Sequence, residues 1–274
     1  MTDLVQLADS GGGVALLTLS DPDRRNVMTA EMGEQFAAAL AELRTRGDVR
    51  AVVLTGAGSA FSGGGDLALL EEKTEQARGG RDQTASMRRF YAAYLAVRDT
   101  PFPVLAAVNG HAVGAGACVA LACDLVIVSS TAKIGFNFVR LGIHPGMGGS
   151  WTLPRLVGPQ RAAELLYTGR LVSGEEAAAY GMALEALPAA EVLPRALALA
   201  ADIAASAPQA VRQLKQSLAA SPTNTLDQQL DLEASAQAEN YRGPEIEEGL
   251  RAARERRAPR FSADPRSAAP GSAD

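Results

Sequence analysis

Two cysteines, Cys118 and Cys123, and two histidines, His111 and His144, are all the thiol and imidazole groups in a chain of 274 residues. Structural zinc needs four such ligands at short spacing, so neither a zinc site nor a disulfide scaffold is expected, and no bound cofactor is called for. Aromatics are scarce at 5%, with a single tryptophan, and positive charge does not dominate: 26 Lys and Arg against 31 Asp and Glu give a net charge of −5. No overall positive field is available to gather a nucleic-acid backbone or an anionic membrane. Residues 1–6 lack a basic start followed by an apolar run, so no signal peptide is expected and the chain is placed in the cytoplasm. Residues 101–123 carry no charged side chain and have the length of a membrane span. Two prolines, Asn109, Gly110, His111, Gly114 and Gly116 interrupt that stretch, which therefore reads as a buried strand, a tight loop and a buried helix.

What the chain does have is 47% hydrophobic residues, ample for a core of one or two domains. Short β-like runs at 4–8, 14–19, 51–55, 104–108 and 125–129 alternate with helical stretches, the pattern of a layered α/β fold. Thr29 is placed to cap a helix through about Arg44, and 81–98 reads as a helix whose Phe90, Tyr91 and Tyr94 form an apolar stripe. The polar stretch 71–80, ending in two glycines, reads as a mobile loop. Beyond about Ser173 helices dominate, at 192–205, 209–218 and 226–240, punctuated by Pro208, Pro222 and Pro244. The resulting division is a core over 1–200, a helical region over 201–261 and a disordered tail over 262–274.

Two junctions of strand, glycine-rich turn and helix stand out. In the first, Gly56 to Leu67, no Lys-Ser/Thr follows the glycines and Phe61 stands where a dinucleotide fingerprint has its third glycine. In the second, Asn109 to Cys118, Val119 stands at that place. Gly148-Gly149-Ser150-Trp151-Thr152 misses the nucleophile elbow. Each junction is either a plain turn or a corner exposing backbone N–H groups, and two such corners together can aim amide dipoles at one developing negative charge.

The phrases Arg25-Asn26-Val27-Met28, Gly58-x-Ala60-Phe61-Ser62-x-Gly64-x-Asp66-Leu67, Pro103 to Gly114, Ala122-Cys123-Asp124-Leu125 and Leu141-Gly142-x-x-Pro145-Gly146-x-Gly148-Gly149 resemble the crotonase superfamily, the enoyl-CoA hydratase/isomerase family. So do Pro154-Arg155-Leu156-Val157-Gly158 and Thr168-Gly169-Arg170, and the resemblance runs in order from about residue 4 to Phe261. It implies a spiral of ββα turns followed by trimerising helices, in a homotrimer or homohexamer. It implies an acyl-CoA substrate, coenzyme A being part of that substrate, whose thioester carbonyl is polarised by two backbone N–H groups. Carried over, these donors fall at Gly65 and Ala115. Ala60, Gly63, Gly64 and Leu67 would bind the CoA moiety, Arg24 or Arg25 would lie near its phosphates, and Phe261 matches a C-terminal aromatic near the nucleotide.

The hydratase glutamates of that family fall at Cys118 and Phe138, and the aspartate that some members carry after the proline falls at Gly146. Acid–base work needs a titratable group within reach of the moving proton, so standard hydration is not expected and decarboxylation or hydrolysis fits better. The groups left to move a proton are His144, Asp66 and Cys118. For each the plain alternative is structural: a loop histidine, a helix-capping carboxylate and a packed thiol, unless a helix terminus lowers the Cys118 pKa. Phe138 and Trp151 read as the lining of an apolar acyl pocket or as core. A non-catalytic acyl-CoA-binding protein is the alternative function.

Overall fold

The computed structural model describes residues 3–261; the expected tail at 262–274 lies outside the described residues. The chain opens with an antiparallel hairpin of β1 (Val5–Asp9) and β2 (Val14–Leu19). α1 (Ala30–Thr45) follows, the Thr29 hydroxyl accepting from Met32 N–H at its start. Three successive turns then have one plan. The first runs β3 (Ala51–Gly56), β4 (Ala60–Ser62), α2 (Leu67–Arg78) and α3 (Thr84–Leu95). The second is β5 (Val104–Val108), β6 (His111–Val113) and α4 (Ala115–Ala120). The third is β7 (Leu125–Ser129), β8 (Lys133–Gly135), a 3-10 turn over Asn137–Leu141, α5 (Gly149–Val157) and α6 (Pro159–Thr168). β9 (Leu171–Ser173), α7 (Gly174–Ala179) and β10 (Glu185–Leu187) complete the sheets. α8 (Ala189–Ala204), α9 (Pro208–Ala220), α10 (Leu226–Asn240) and α11 (Pro244–Glu255) close the fold.

The long strands form one sheet, in the order β1-β2-β3-β5-β7-β10, and the three-residue strands a second, β4-β6-β8-β9. Each turn of the spiral thus gives one strand to each sheet before its helix. β3 is buried throughout, as a central parallel strand must be when both faces are covered. Its Val52 and Leu54 face the main core with Phe36 and Phe61, while Ala51 and Val53 pack against Val192, Ala196 and Ala200 of α8. That four-residue spacing puts a small-residue stripe on one helix face, which lets α8 lie flat on the sheet. Lys215 ties α9 to the core, donating to the Asp124 carboxylate at 2.8 Å and the Phe102 carbonyl at 2.9 Å.

Residues 71–78 are helical and not a loop: the Asp66 carboxylate caps α2 by accepting from Ala68 N–H, and the polarity of 71–78 belongs to an exposed helix face. The helix expected over 81–98 begins at Thr84 and tightens into a 3-10 turn at Ala96–Asp99. Residues 101–123 hold β5, β6 and α4, and among the described residues no helix is long and apolar enough to cross a membrane.

Candidate active site

The first corner, between β4 and α2, is held by a buried asparagine. Asn26 sits in the left-handed region at φ 52°, and its side chain accepts from Asp21 N–H and donates to the Ala57 and Ala60 carbonyls at 2.9 and 2.8 Å. Its own carbonyl accepts from the Ser62 hydroxyl at 2.8 Å, and Ser62 Oγ in turn accepts from Gly64 N–H at 3.1 Å. Gly63 N–H donates to the Arg25 carbonyl, while Met28 N–H donates to the Gly64 carbonyl and Asp66 N–H to that of Met28. Because successive peptide groups alternate in direction, pairing of Gly64 and Asp66 with Met28 turns the Gly65 N–H the other way. Among the described residues it has no acceptor.

The second corner lies between β6 and α4. Gly114 N–H donates to the Gly135 carbonyl at 2.8 Å and Cys118 N–H to that of Gly114 at 3.1 Å, so α4 starts at Ala115 with its first N–H free of partners among the described residues. The two corners touch through their glycines. A Cβ on Gly64, at φ +90°, would stand 2.4 Å from the Val113 carbonyl oxygen and 3.5 Å from Ala115 N, and one on Gly116 would stand 2.7 Å from Ser62 Cβ. Only glycine permits this approach.

Gly65 and Ala115 both line a cavity of about 350 Å³, within the range of small-molecule sites. Its walls are mainly apolar, among them Leu70, Met87, Phe90, Phe138 and Met147. Asp66, Lys73, Tyr91 and His144 are the acid–base side chains on its lining. Asp66 is committed: one carboxylate oxygen caps α2 and the other pairs with Arg24. His144 is exposed, and its Nδ1 lies 2.8 Å from the Pro145 carbonyl oxygen. A carbonyl only accepts, so Nδ1 carries the proton and Nε2 is the basic nitrogen. The Tyr91 hydroxyl occupies the space beside Gly146, 2.5 Å from where a Cβ at 146 would be. Burial raises its pKa and keeps it protonated.

Two of the other residues named from the sequence, Cys118 and Trp151, lie off the cavity lining. Cys118 is buried outside the cavity lining, with Sγ 3.6 Å from the Gly146 carbonyl. Burial pushes its thiol up to about 12, opposite to the lowering expected from a helix terminus; α4 has six residues, and desolvation outweighs so short a dipole. Trp151 does not line the cavity. It is 45% exposed and stacks between the Arg155 and Arg98 guanidinium groups, 4.0 and 4.7 Å from its ring centre. Its place near the start of α5 turns it outward, while Leu153 faces the core.

Gly63, Gly64, Leu67 and Phe138 line the cavity; Ala60 is buried behind the first corner, accepting from Asn26. Arg24 and Arg25 are exposed beside that corner. Phe261 lies away from the cavity lining, its carbonyl accepting from Arg50, which also donates to the Ala204 carbonyl. His111 is exposed on β6, where Nδ1 accepts from Lys133 N–H. Sequence reasoning missed Ser62, Lys73 and Tyr91, and gave Asn26 no role. Asn26 and Ser62 had a signal in the family-like phrases that contain them, and Tyr91 read only as part of an apolar stripe; Lys73 and Tyr91 come to the site through packing.

Residues 9–264 match the family described as enoyl-CoA hydratase/isomerase. A Thermus thermophilus protein named "Putative enoyl-CoA hydratase" is 42% identical over 252 residues, covering 91% of this chain and 98% of its own. The 1,2-epoxyphenylacetyl-CoA isomerase of Escherichia coli is 36% identical over 251 residues, covering 91% and 95% respectively. The crystal structure of an enoyl-CoA hydratase from Polaromonas sp. JS666 superposes with a TM-score of 0.88 at 32% identity, over 94% of this chain and 99% of that one. The spiral of ββα turns is thus shared in fold as well as in sequence. A match that runs through both corners and on into the helical C-terminal region makes this chain a member of the enoyl-CoA hydratase/isomerase family, the crotonase superfamily.

Proposed function

We propose that this family member is an enzyme that binds an acyl-CoA thioester and stabilises its enolate between the Gly65 and Ala115 N–H groups. The observation that carries the reading is the pair of unpartnered N–H groups at two touching corners, both lining one cavity. Charge developing on a thioester oxygen is stabilised best by dipoles fixed in place beforehand; the Asn26 and Ser62 hydrogen bonds hold the first corner and the bond from Gly114 N–H to the Gly135 carbonyl holds the second.

The chemistry is other than two-glutamate hydration. By alignment with the family motifs, Cys118 and Phe138 stand at the glutamate positions, and the first is a buried thiol while the second is a cavity wall. Proton movement then falls to His144 Nε2 as base and to the Tyr91 hydroxyl or protonated His144 as acid. Loss of carbon dioxide from a β-carboxyacyl thioester leaves its electron pair in the enolate, which takes a proton at the α-carbon. Isomerisation of an acyl-CoA, the kind of activity in the name of the Escherichia coli relative, is a second reaction such a site could serve. Exposed Leu214, Leu218, Leu226 and Leu230 on α9 and α10 support the homotrimer or homohexamer reading, because such apolar surface is normally covered.

The test is incubation of the full chain in D2O with enoyl-, β-carboxyacyl- and saturated acyl-CoAs, each species followed by mass spectrometry. α-Deuteration, loss of carbon dioxide, isomerisation or CoA release in a member of the panel is the expected result. Binding with no mass change would favour the non-catalytic acyl-CoA-binding alternative, and absence of binding would overturn the acyl-CoA reading.

A further inference from the structure

Lys73 lies on α2 seven residues beyond the Asp66 cap, about 10 Å along the helix axis, and lines the cavity beside Leu70, Met87 and Phe90. Its ammonium donates to the Ser86 hydroxyl at 2.6 Å, and among the described residues no carboxylate lies within ion-pair distance of it. Asp66, the one carboxylate on the cavity lining among the described residues, is already engaged by Arg24 and Ala68 N–H. The cavity wall therefore carries a half-buried lysine whose ammonium has one of three donors committed to Ser86.

A ligand that fills the cavity takes this ammonium further out of water. That transfer is costly unless an opposite charge arrives with it, so a wholly apolar acyl chain is a poor occupant of that wall. A carboxylate supplies the charge and accepts the two remaining N–H donors in charge-assisted hydrogen bonds. The axial distance from the first corner suits the far end of an acyl group several carbons long, and not the thioester carbonyl. We propose that the pocket takes an ω-carboxyacyl-CoA, with Lys73 as counter-ion of the distal carboxylate and Ser86 orienting the ammonium. This inference rests on the acyl-CoA reading of the site.

Calorimetric titration of the full chain with glutaryl-, adipyl- and suberyl-CoA, each beside its ω-carboxamide twin and with CoA alone, tests it. At least one carboxylate should bind tenfold or more tighter than its amide twin. Lys73→Met should bring that ratio close to one, while Lys73→Arg should keep most of it. Equal affinity of all the twin pairs for the unaltered protein would overturn the inference and leave the acyl-CoA reading standing. Equal weakening of CoA and every thioester by Lys73→Met would also overturn it, assigning Lys73 to a CoA phosphate. Binding of no CoA species at all would instead remove the reading on which it rests.

Discussion

Replacing Ala115 by proline removes one N–H and little else, which makes it the cleanest probe of the two-corner site. Ala115 is the first residue of α4, where a backbone N–H has no intrahelical partner and proline is well tolerated. Its N–H has no acceptor among the described residues, so no structural hydrogen bond is lost. Ala115 lines the cavity, so the ring carbon that replaces the hydrogen is added at the cavity wall. Folding stability should therefore change by no more than about 1 kcal/mol, while loss of one oxyanion donor should raise the barrier by about 3 kcal/mol, or 10²–10³ in rate. The assay pairs a calorimetric Tm with deuterium incorporation at the α-carbon of the acyl-CoA that exchanges fastest in the unaltered protein. A folded variant with unchanged exchange would refute the Ala115 assignment. A variant that loses exchange only because its Tm collapses would refute the claim that this N–H is structurally idle.

Asn26→Ala deletes three good side-chain hydrogen bonds and places alanine at φ 52°, so it should cost about 2–4 kcal/mol in urea unfolding and slow turnover by loosening the first corner. Stability should fall as pH rises above 9, because burial raises both the Cys118 and Cys123 thiols above their ordinary value of 9. A raised thiol stabilises the fold fully below the unfolded pKa, and that contribution is lost as pH climbs, by on the order of 1 kcal/mol per thiol at pH 10. Tm measured from pH 8 to pH 11 checks this, and Cys118→Ala should flatten the slope. The double variant Cys118→Glu, Phe138→Glu should gain measurable crotonyl-CoA hydration, read as loss of enoyl absorbance. No gain in a well-folded protein would show that carboxylates introduced at these two positions, the first of them behind the cavity wall, do not reach the substrate.

The long strands and the long C-terminal helices were legible because burial writes itself into them. β2 and β5 coincide with their expected bounds, and α10 with its expected window, because apolar runs and proline or threonine punctuation mark those limits. The second sheet was not legible. β4, β6, β8 and β9 have three residues each, too few for a period to register, and their pairing is decided by partners far along the chain. The stretch 71–78 was misread for a related reason: an exposed helix whose polar side faces water has the composition of a loop.

The site divides along the same line. Its two corners were legible because what backbone geometry demands, glycine at Gly64 and Gly116, appears directly as residue type. Of the acid–base groups on the cavity lining, His144 and Asp66 were named from the sequence, whereas Lys73 and Tyr91 were not, because they come from α2 and α3 and reach the corners only in space. This separation has a chemical consequence. An oxyanion site made of main-chain N–H groups survives substitution of every side chain around it, provided the glycines and the Asn26 hydrogen bonds remain. Enolate stabilisation can thus stay constant while the groups around it change, and the reaction is then set by which proton donors or charges line the cavity. Here those are one imidazole with its Nδ1 protonated, one protonated phenol, one carboxylate already engaged by Arg24 and Ala68 N–H, and one ammonium without a carboxylate partner among the described residues. On the reading proposed above, such a set would favour proton return to an enolate and recognition of an anionic acyl end over activation of water by paired carboxylates.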